Sequence, residues 1–292
     1  MMPGTPAAPA PVLVACDLDR TLIYSAKSLL LSGDDSAAPP MVVSEVYDSA
    51  PLSFMTRAAD VLLSQLVERV LFVPATTRTR AQFSRVRLPG EGRGYAVTTN
   101  GAVILKDGEI DMDWFGHINR CVEEACAPLA EVLGYLTGPR AVPEVLRVRD
   151  AEELFVYCIV NRQELSAAYV EDLTGWCSQR GWKTSLQGRK LYCVPEPINK
   201  ESAIAEIQRR TGPGLMLAAG DSRLDAGLLD LADIAIRPAH GELESDGYFR
   251  EHLVVTGSPG VLAGEEILRF ITQAARQADA GRFVPLSEAT SA

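Results

Sequence analysis

Short apolar runs alternate with amphipathic segments along most of the chain. Runs rich in Val, Leu, Ile and Ala are typical of buried strands, and they lie at residues 12–16, 71–75, 215–219, 234–236 and 253–255. Segments with apolar residues at helical spacing separate these runs, at residues 55–70, 80–86, 198–210, 223–231 and 261–278. The alternation predicts a doubly wound, Rossmann-like α/β core in which helices cover both faces of a parallel sheet.

The middle of the chain follows a different pattern, which predicts an α+β unit inserted into the core. A first hairpin is expected to turn at Asn100-Gly101, a strong hairpin signal. The inserted unit then continues with a helix, a strand, a second helix and a second hairpin, at residues 118–133, 154–160, 164–180 and 182–194. Another short hairpin is expected near residues 41–47, within a polar stretch that contains proline.

These patterns divide the chain into a core and an insert. We predict a core domain of residues 11–99 and 195–278 and an inserted domain of residues 100–194. Residues 1–10 are rich in Pro and Ala, and we expect them and the tail 279–292 to be loosely ordered.

Two acids follow the first predicted strand directly. Asp17 and Asp19 are two residues apart, so both carboxylates are expected to leave the strand end in the same direction. Like charges that are so close need a positive partner, and Mg²⁺ prefers carboxylate oxygens. A carboxylate can also act as a nucleophile toward phosphorus. By itself the pattern is equally typical of a capped strand end with solvated acids.

Three further groups lie where later strands end or helices begin. Asp221 and Asp225 follow the strand at 215–219, Thr76 and Thr77 follow the strand at 71–75, and Lys200 opens a helix. Ligands of open α/β sheets bind at the carboxyl ends of the strands, so these side chains could surround one cation and one anion. Taken singly, each also fits an ordinary helix cap or a surface side chain.

In combination, the four segments resemble the four motifs of the haloacid dehalogenase (HAD) superfamily. They occur in the right order and cover about residues 11 to 275. The matching positions are Asp17, Asp19 and Thr21 in the first motif, Thr76 in the second, Lys200 in the third, and Asp221 and Asp225 in the fourth.

The resemblance implies a role for each of these positions. Asp17 would attack phosphorus and form an aspartyl-phosphate, and Asp19 would protonate the leaving oxygen and then activate water. Thr76 would hydrogen-bond the transferring phosphoryl group, and Lys200 would neutralise negative charge. The resemblance thus implies an enzyme, a phosphoric monoester hydrolase.

The resemblance also implies a Mg²⁺ cofactor. The ion would be bound by Asp17, by the backbone carbonyl of Asp19 and by Asp221. Asp225 would belong to the same metal site by orienting Lys200 or a water.

Substrate contacts are expected around the motifs and from the insert, which resembles a C2-type cap. Caps of this kind close over the core and contact small phosphorylated metabolites such as sugar phosphates. The expected contact residues are Leu18, Thr77, Arg78, Arg189 and Lys190. The last two belong to the turn Gln187–Lys190, which could also be a solvated hairpin tip.

Two positions depart from the family pattern. Arg20 replaces the usual Gly of the first motif, so the backbone there must suit a residue with a side chain. Leu224 replaces an Asn that is frequent in the fourth motif, which removes a polar group near the metal. Of the three histidines, His240 alone follows a core strand closely enough to border the site.

The composition limits the classes of binding partner and the cellular compartment that are expected. The formal net charge of −10 opposes non-specific binding to nucleic acid or to anionic membranes. Six cysteines without a C-x-x-C pattern favour reduced thiols in a cytoplasmic protein, and no apolar run is long enough to span a bilayer. The sequence therefore predicts a Mg²⁺-dependent phosphatase; a phosphomutase of the same fold or a catalytically silent binding protein are the alternatives.

Overall fold

The computed structural model describes residues 11–90 and 92–279, so the expectations for residues 1–10 and for the tail beyond 279 lie outside it. In chain order the strands are β1 (Val12–Cys16), β2 (Tyr24–Ser25), β3 (Met41–Tyr47), β4 (Ala50–Thr56), β5 (Leu71–Pro74), β6 (Tyr95–Thr98), β7 (Val103–Lys106), β8 (Glu109–Ile110), β9 (Val145–Ala151), β10 (Phe155–Val160), β11 (Trp182–Gln187), β12 (Lys190–Pro195), β13 (Leu215–Ala219), β14 (Ile234–Arg237) and β15 (Leu253–Val255). The helices are α1 (Arg57–Leu66), α2 (Arg80–Phe83), α3 (Met112–Ala125), α4 (Leu129–Thr137), α5 (Ala167–Ser178), α6 (Lys200–Thr211), α7 (Ala226–Leu231), α8 (Glu242–Ser245) and α9 (Val261–Asp279).

A five-stranded parallel sheet forms the core, in the order β15-β14-β13-β1-β5. Successive residues of β1 face opposite sides, so Leu13 packs in one buried cluster and Val14 in another. Helices α1 and α9 pack on the Val14 side, and α6 and α7 pack on the Leu13 side. Burial on both faces explains why the core strands are continuous apolar runs, and the predicted doubly wound core is confirmed.

The register of the sheet aligns three strand ends. Cys16, the last residue of β1, lies opposite Ala219 of β13 and opposite Pro74 of β5. The segments that follow these strands therefore leave the sheet at the same edge, which is where the predicted site residues lie.

An antiparallel sheet of four strands, in the order β11-β12-β10-β9, forms a second layered unit. Helices α4 and α5 pack on this sheet, and we call the sheet and these two helices the cap. Its interior contains Phe155 and Trp182, both almost fully buried. The predicted inserted α+β unit is confirmed.

Two details of the insert differ from the prediction. The prediction of a single helix over residues 118–133 is wrong, because α3 ends at Ala125 and α4 begins after Pro128. Proline lacks the N–H that a continuous helix requires and disfavours helical backbone in the preceding residue. Strand β9 was not predicted, since it is an edge strand whose charged residues hide the apolar alternation.

A third sheet, of order β2-β4-β3, extends from the end of β1. We call its β3–β4 hairpin, residues 41–56, the flap. A hairpin was predicted in this region, but its second strand, β4, takes residues that were assigned to the following helix, so α1 begins at Arg57 rather than at Met55. Among the described residues, no helix has the length and apolar composition needed to cross a bilayer.

Candidate active site

The aligned ends of β1 and β13 bring three carboxylates together. Asp17 follows β1, Asp221 follows β13, and Asp225 lies one turn further along the chain. All three are buried, and an oxygen from each lies within 4.8 Å of an oxygen of the other two. Gly220 makes this approach possible, because a Cβ atom there would lie 2.4 Å from the Cβ of Asp225.

Lys200 bridges two of these acids from the first turn of α6. The preceding residue, Asn199, caps the helix by accepting a hydrogen bond from the N–H of Ser202. The Nζ atom of Lys200 lies 2.6 Å from Oδ1 of Asp17 and 2.6 Å from Oδ1 of Asp225, and the side chain is 1% exposed. Burial would lower the pKa of Lys200, but the two carboxylates hold it above its usual value, so the residue is a fixed cation.

Asp225 has both oxygens occupied by protein donors. Besides the Lys200 contact, its Oδ2 accepts hydrogen bonds from the backbone N–H groups of Asp221, at 3.1 Å, and Ser222, at 2.9 Å. The Ser222 hydroxyl donates a third bond at 2.7 Å. Asp225 therefore orients Lys200 and fixes the 221–222 turn, which leaves Asp17 and Asp221 as the acids that could bind a cation.

The carboxylate cluster is short of positive charge. Burial raises the pKa of Asp17 to about 7 against the opposing effect of Lys200. Burial, and then the neighbouring Asp17 and Asp225, raise the pKa of Asp221 as well. A divalent cation with a preference for oxygen would relieve this repulsion, so the donor set fits Mg²⁺.

Asp19 turns away from this cluster toward Arg78. The Nε and Nη2 atoms of Arg78 lie 2.7 Å and 2.8 Å from the two oxygens of Asp19, in a bidentate ion pair. Desolvation in the cleft would raise the pKa of Asp19, but Arg78 holds it below its usual value. The Asp19 side chain is 41% exposed, so it remains accessible from the cleft.

Arg78 is itself held by Glu45 of the flap. The Nη1 atom of Arg78 lies 2.7 Å from Oε2 of Glu45, whose side chain is fully buried. Arg85 and the Ser53 hydroxyl donate further bonds to Glu45, at 3.2 Å and 3.0 Å. Sequence reasoning missed Glu45 and Ser53. The pairing of β3 with β4 shifts register at Glu45, so strict alternation does not mark it as inward-facing.

The remaining core residues that were predicted to contact the substrate differ in burial and in hydrogen-bond partners. Thr76 is buried, and its hydroxyl oxygen accepts a bond of 3.2 Å from the Arg78 N–H. The Thr77 hydroxyl lies 3.4 Å from the Tyr192 hydroxyl of the cap. The side chain of Leu18 is fully buried in the hydrophobic core, so only its main chain could contact a substrate.

The cap hairpin β11–β12 places one of its two predicted basic residues in the cleft. Lys190 is partly buried, with its Nζ atom 5.8 Å from the centre of the Tyr157 ring. Its ammonium is close enough to Tyr192 and Asp19 for both to raise its pKa. Arg189 is exposed at the tip of the turn.

Glu242, at the start of α8, joins the core to this hairpin. Its carboxylate accepts a hydrogen bond of 2.8 Å from the Ser185 hydroxyl and one of 3.2 Å from the Leu186 N–H. It also accepts a bond of 3.1 Å from the core N–H of Arg223. The cap is therefore docked on the core beside the fourth motif, by a residue that sequence reasoning did not select.

The backbone at Arg20 is not one that favours a residue with a side chain, contrary to the expectation from the sequence. Its φ angle is 65°, in the left-handed region that favours glycine. The Nε2 atom of His240 lies 2.8 Å from the Arg20 carbonyl, and the N–H of Gly260 donates to Nδ1 of His240 at 2.9 Å. Since Nδ1 is an acceptor, His240 is neutral, and burial lowers its pKa to about 4. His240 thus lies beside the first motif and has a structural role there, since it fixes the Arg20 carbonyl.

Comparison of the whole chain with known proteins gives a clear result for the fold. No protein-family model and no curated protein matches the sequence. Among solved structures, the sucrose-phosphatase of Synechocystis sp. PCC6803 matches with a TM-score of 0.62 at 16% identity, over 89% of this chain and 98% of that one. This protein has the HAD fold.

Two further solved structures, one of them described as a HAD phosphatase, match most of this chain. Thermoplasma acidophilum 0175 matches with a TM-score of 0.56 at 13% identity, over 89% of this chain and 98% of that one. A phosphatase of the HAD enzyme superfamily, BT1666 from Bacteroides thetaiotaomicron, matches with a TM-score of 0.51 at 12% identity, over 94% of this chain and 98% of that one. The predicted resemblance is confirmed at the level of the fold.

The two departures from the HAD motifs have different surroundings. Leu224 packs against the larger hydrophobic cluster, so an apolar contact replaces the polar group expected there. Arg20 lies at the site itself, with its Nε atom 3.5 Å from Oδ2 of Asp221.

Proposed function

We propose that this protein is a Mg²⁺-dependent phosphatase that hydrolyses a small phosphorylated metabolite through an aspartyl-phosphate on Asp17. The observation that carries the proposal is the buried Asp17–Lys200–Asp225 bridge beside Asp221. A fully buried lysine among three acids is costly for folding alone, because each charge must be desolvated. An enzyme that handles a phosphoryl group uses such an arrangement to position a nucleophile and to offset transferred charge.

Asp17 is suited to attack phosphorus because its orientation is fixed. Lys200 binds Oδ1, and the Thr21 hydroxyl donates to Oδ2 at 3.1 Å. A carboxylate has about four lone-pair positions, so two remain for a cation and for bond formation. Attack forms the Asp17–phosphorus bond while the bond from phosphorus to the leaving oxygen breaks.

Asp19 is placed to move the proton. In the proposed reaction it protonates the leaving oxygen and later removes a proton from the water that attacks the aspartyl-phosphate. Arg78 fixes its carboxylate and favours the ionised form. Asp19 is therefore prepared as the base of the second step, and in the first step it must carry a proton when the leaving group contacts it.

Mg²⁺ would be held by Asp17, Asp221 and the backbone carbonyl of Asp19, and when bound it would supply positive charge to the phosphoryl oxygens. Thr76 and Lys200 would supply the hydrogen bond and the charge on the protein side. Asp225 holds Lys200 in place throughout.

A sugar phosphate is the class of substrate that we infer. The cleft under the cap offers the Tyr157 and Tyr192 rings and the Lys190 ammonium, which suit a polar, hydroxylated leaving group. The Synechocystis sucrose-phosphatase, which shares the fold, was solved in complex with sucrose and phosphate.

The test is phosphate release from a panel of sugar phosphates, nucleotides and phospho-acids, with Mg²⁺ and with chelator. We expect Mg²⁺-dependent release by the wild type and a loss of at least about 10³-fold in Asp17→Asn, which keeps the size of the side chain and removes the nucleophile. The matched control is Asp60→Asn. It makes the same substitution at an acid of α1 that is not part of the site.

The alternatives give different results in the same assay. A phosphomutase would convert one sugar phosphate into another without net release of phosphate. A silent binding protein would show saturable binding without turnover. An active Asp17→Asn variant would disprove the aspartyl-phosphate mechanism.

A further inference from the structure

The two basic side chains near the acidic cluster form ion pairs with different carboxylates. Lys200 contacts Asp17 and Asp225 at 2.6 Å. Asp221, whose side chain is 7% exposed, has Arg20 as its cationic neighbour, with 3.5 Å between Oδ2 and Nε. In the described part of the chain, no other Lys or Arg nitrogen forms an ion pair with Asp221. The positive charge opposite Asp221 is thus supplied by the one motif position at which the family's usual glycine is missing.

The geometry of this contact is that of a counter-ion rather than of a hydrogen-bonded pair. The Nε atom of Arg20 is buried, yet it has no hydrogen-bond partner among the described residues. A buried donor without an acceptor is costly, so the contact with Asp221 is sustained by charge attraction and by a backbone that is held in place. Such a group is easily separated from its partner when a stronger cation arrives.

Two features border Arg20, one at its backbone and one at its guanidinium. His240 holds the Arg20 carbonyl while the backbone adopts a left-handed conformation. On the outer side lies the turn of the cap hairpin, where a Cβ atom built on Gly188 would be 4.0 Å from Nη1 of Arg20. The guanidinium therefore lies between the metal-binding acid and the cap.

We propose that Arg20 is a resident counter-ion that competes with the divalent cation for Asp221 and thereby lowers the metal affinity of the site. The inference rests on the proposed Mg²⁺ site. A bound cation must share Asp221 with the guanidinium or displace it, and in either case two positive charges repel at short range. For a guanidinium and a divalent cation about 5 Å apart, the repulsion corresponds to roughly a tenfold change in affinity even with the full screening of bulk water.

The test measures Mn²⁺ binding to the full chain by electron paramagnetic resonance, and Mg²⁺ binding by calorimetry, without substrate. Arg20→Gln removes the charge and keeps much of the volume, and Arg20→Gly suits the left-handed backbone. We expect both variants to bind Mn²⁺ about tenfold more tightly than the wild type. The difference should shrink at high salt, because ions screen exposed charges.

Arg223→Gln is the matched control. It makes the same change of charge two residues from Asp221, but the Arg223 guanidinium binds Asp246, with 2.6 Å between Nε and Oδ2. We expect its Mn²⁺ affinity to stay within about twofold of the wild type, since the pair is exposed and screened.

The outcomes separate this inference from the proposed function. Equal or weaker Mn²⁺ binding in both Arg20 variants would overturn the role of Arg20 while leaving a functional metal site. An absence of binding in the wild type and in every variant would overturn the metal site itself. A thermal unfolding scan in chelator accompanies each variant, and we expect Arg20→Gln to unfold at lower temperature because Asp221 has lost its counter-ion.

Discussion

Lys200 holds together negative charges from two distant parts of the chain. Its Nζ atom contacts Asp17 after β1 and Asp225 after β13, while the residue itself begins α6. Removal of this single charge would leave buried carboxylates without compensation. We therefore expect the lysine to stabilise the metal-free protein in addition to its proposed role in the chemistry.

We expect Lys200→Met to lower the free energy of unfolding in chelator by about 3–5 kcal/mol, the usual cost of breaking a buried ion pair by removing one partner. Urea denaturation at neutral pH measures the change. Lys183→Met, on an exposed lysine of β11, is the control and should change the free energy by no more than about 0.5 kcal/mol. A loss of less than about 1 kcal/mol in Lys200→Met would show that the acids are neutral in the folded protein.

The sequence identified the acids and Lys200 because motif order and strand ends restrict them. It could not identify Glu45, since no local pattern shows that a flap residue meets an arginine after β5. The structure adds that the guanidinium of Arg78, a predicted substrate contact, is bound to Asp19 and Glu45. Partnerships between distant side chains depend on tertiary packing, which spacing along the chain does not reveal.

At the level of elements, the buried strands were predicted well and the edges poorly. Strands such as β1 and β13 are buried on both faces, so nearly every residue is apolar. Edge strand β9 carries charges because one side faces solvent. The break between α3 and α4 depends on Pro128, a signal that was present in the sequence but was outweighed by the apolar periodicity around it.

The loop after β14 limits the space around Asp221. Gly241 has a φ angle of 99°, and a Cβ atom there would lie 2.5 Å from the Asp221 carbonyl oxygen and 2.7 Å from its Oδ2. The turn therefore approaches the acid so closely that a side chain has no room. This glycine was not recognised from the sequence, since its importance depends on a residue of another loop.

We expect Gly241→Ala to displace Asp221 and to reduce phosphate release by at least about 10²-fold, as misplacement of about 1 Å does in active sites. Gly247→Ala is the matched control. It also has a positive φ angle, 63°, but a Cβ atom there meets nothing within 4 Å. It should lose stability of about 1 kcal/mol and keep most activity. Similar activity in the two variants would contradict the steric argument.

At the scale of the whole molecule, the core and the cap share one hydrophobic cluster. Leu13 and Ala218 of the core sheet belong to the same buried cluster as Phe155 and Trp182 of the cap. Glu242 adds polar contacts to the β11–β12 hairpin at the edge of the cleft. The hairpin that carries Lys190 is thus positioned by the core.

We expect Glu242→Ala to loosen the β11–β12 hairpin and to increase its amide hydrogen exchange by about tenfold, as loss of roughly 1.4 kcal/mol of local stability would do. Mass spectrometry of peptides that cover residues 182–195 measures this. Glu242→Gln retains an acceptor for the Leu186 N–H and should show a smaller increase. Unchanged exchange in Glu242→Ala would show that the hydrophobic cluster alone holds the hairpin.

The pairing of β1 with β13 also has a consequence for synthesis of the chain. Val12 is made well before its partner Leu215, which emerges from the ribosome about 10–40 s later at ordinary translation rates. During that interval β1 can pair on one side only, with β5, and its other edge is open to unwanted partners. Asp17 is made well before Lys200, Asp221 and Asp225, which surround it in the folded protein. A chain that stops before β13 would therefore lack two of the clustered acids and would leave an edge of β1 open to pairing with other chains. The acidic cluster forms only when the parallel sheet is completed.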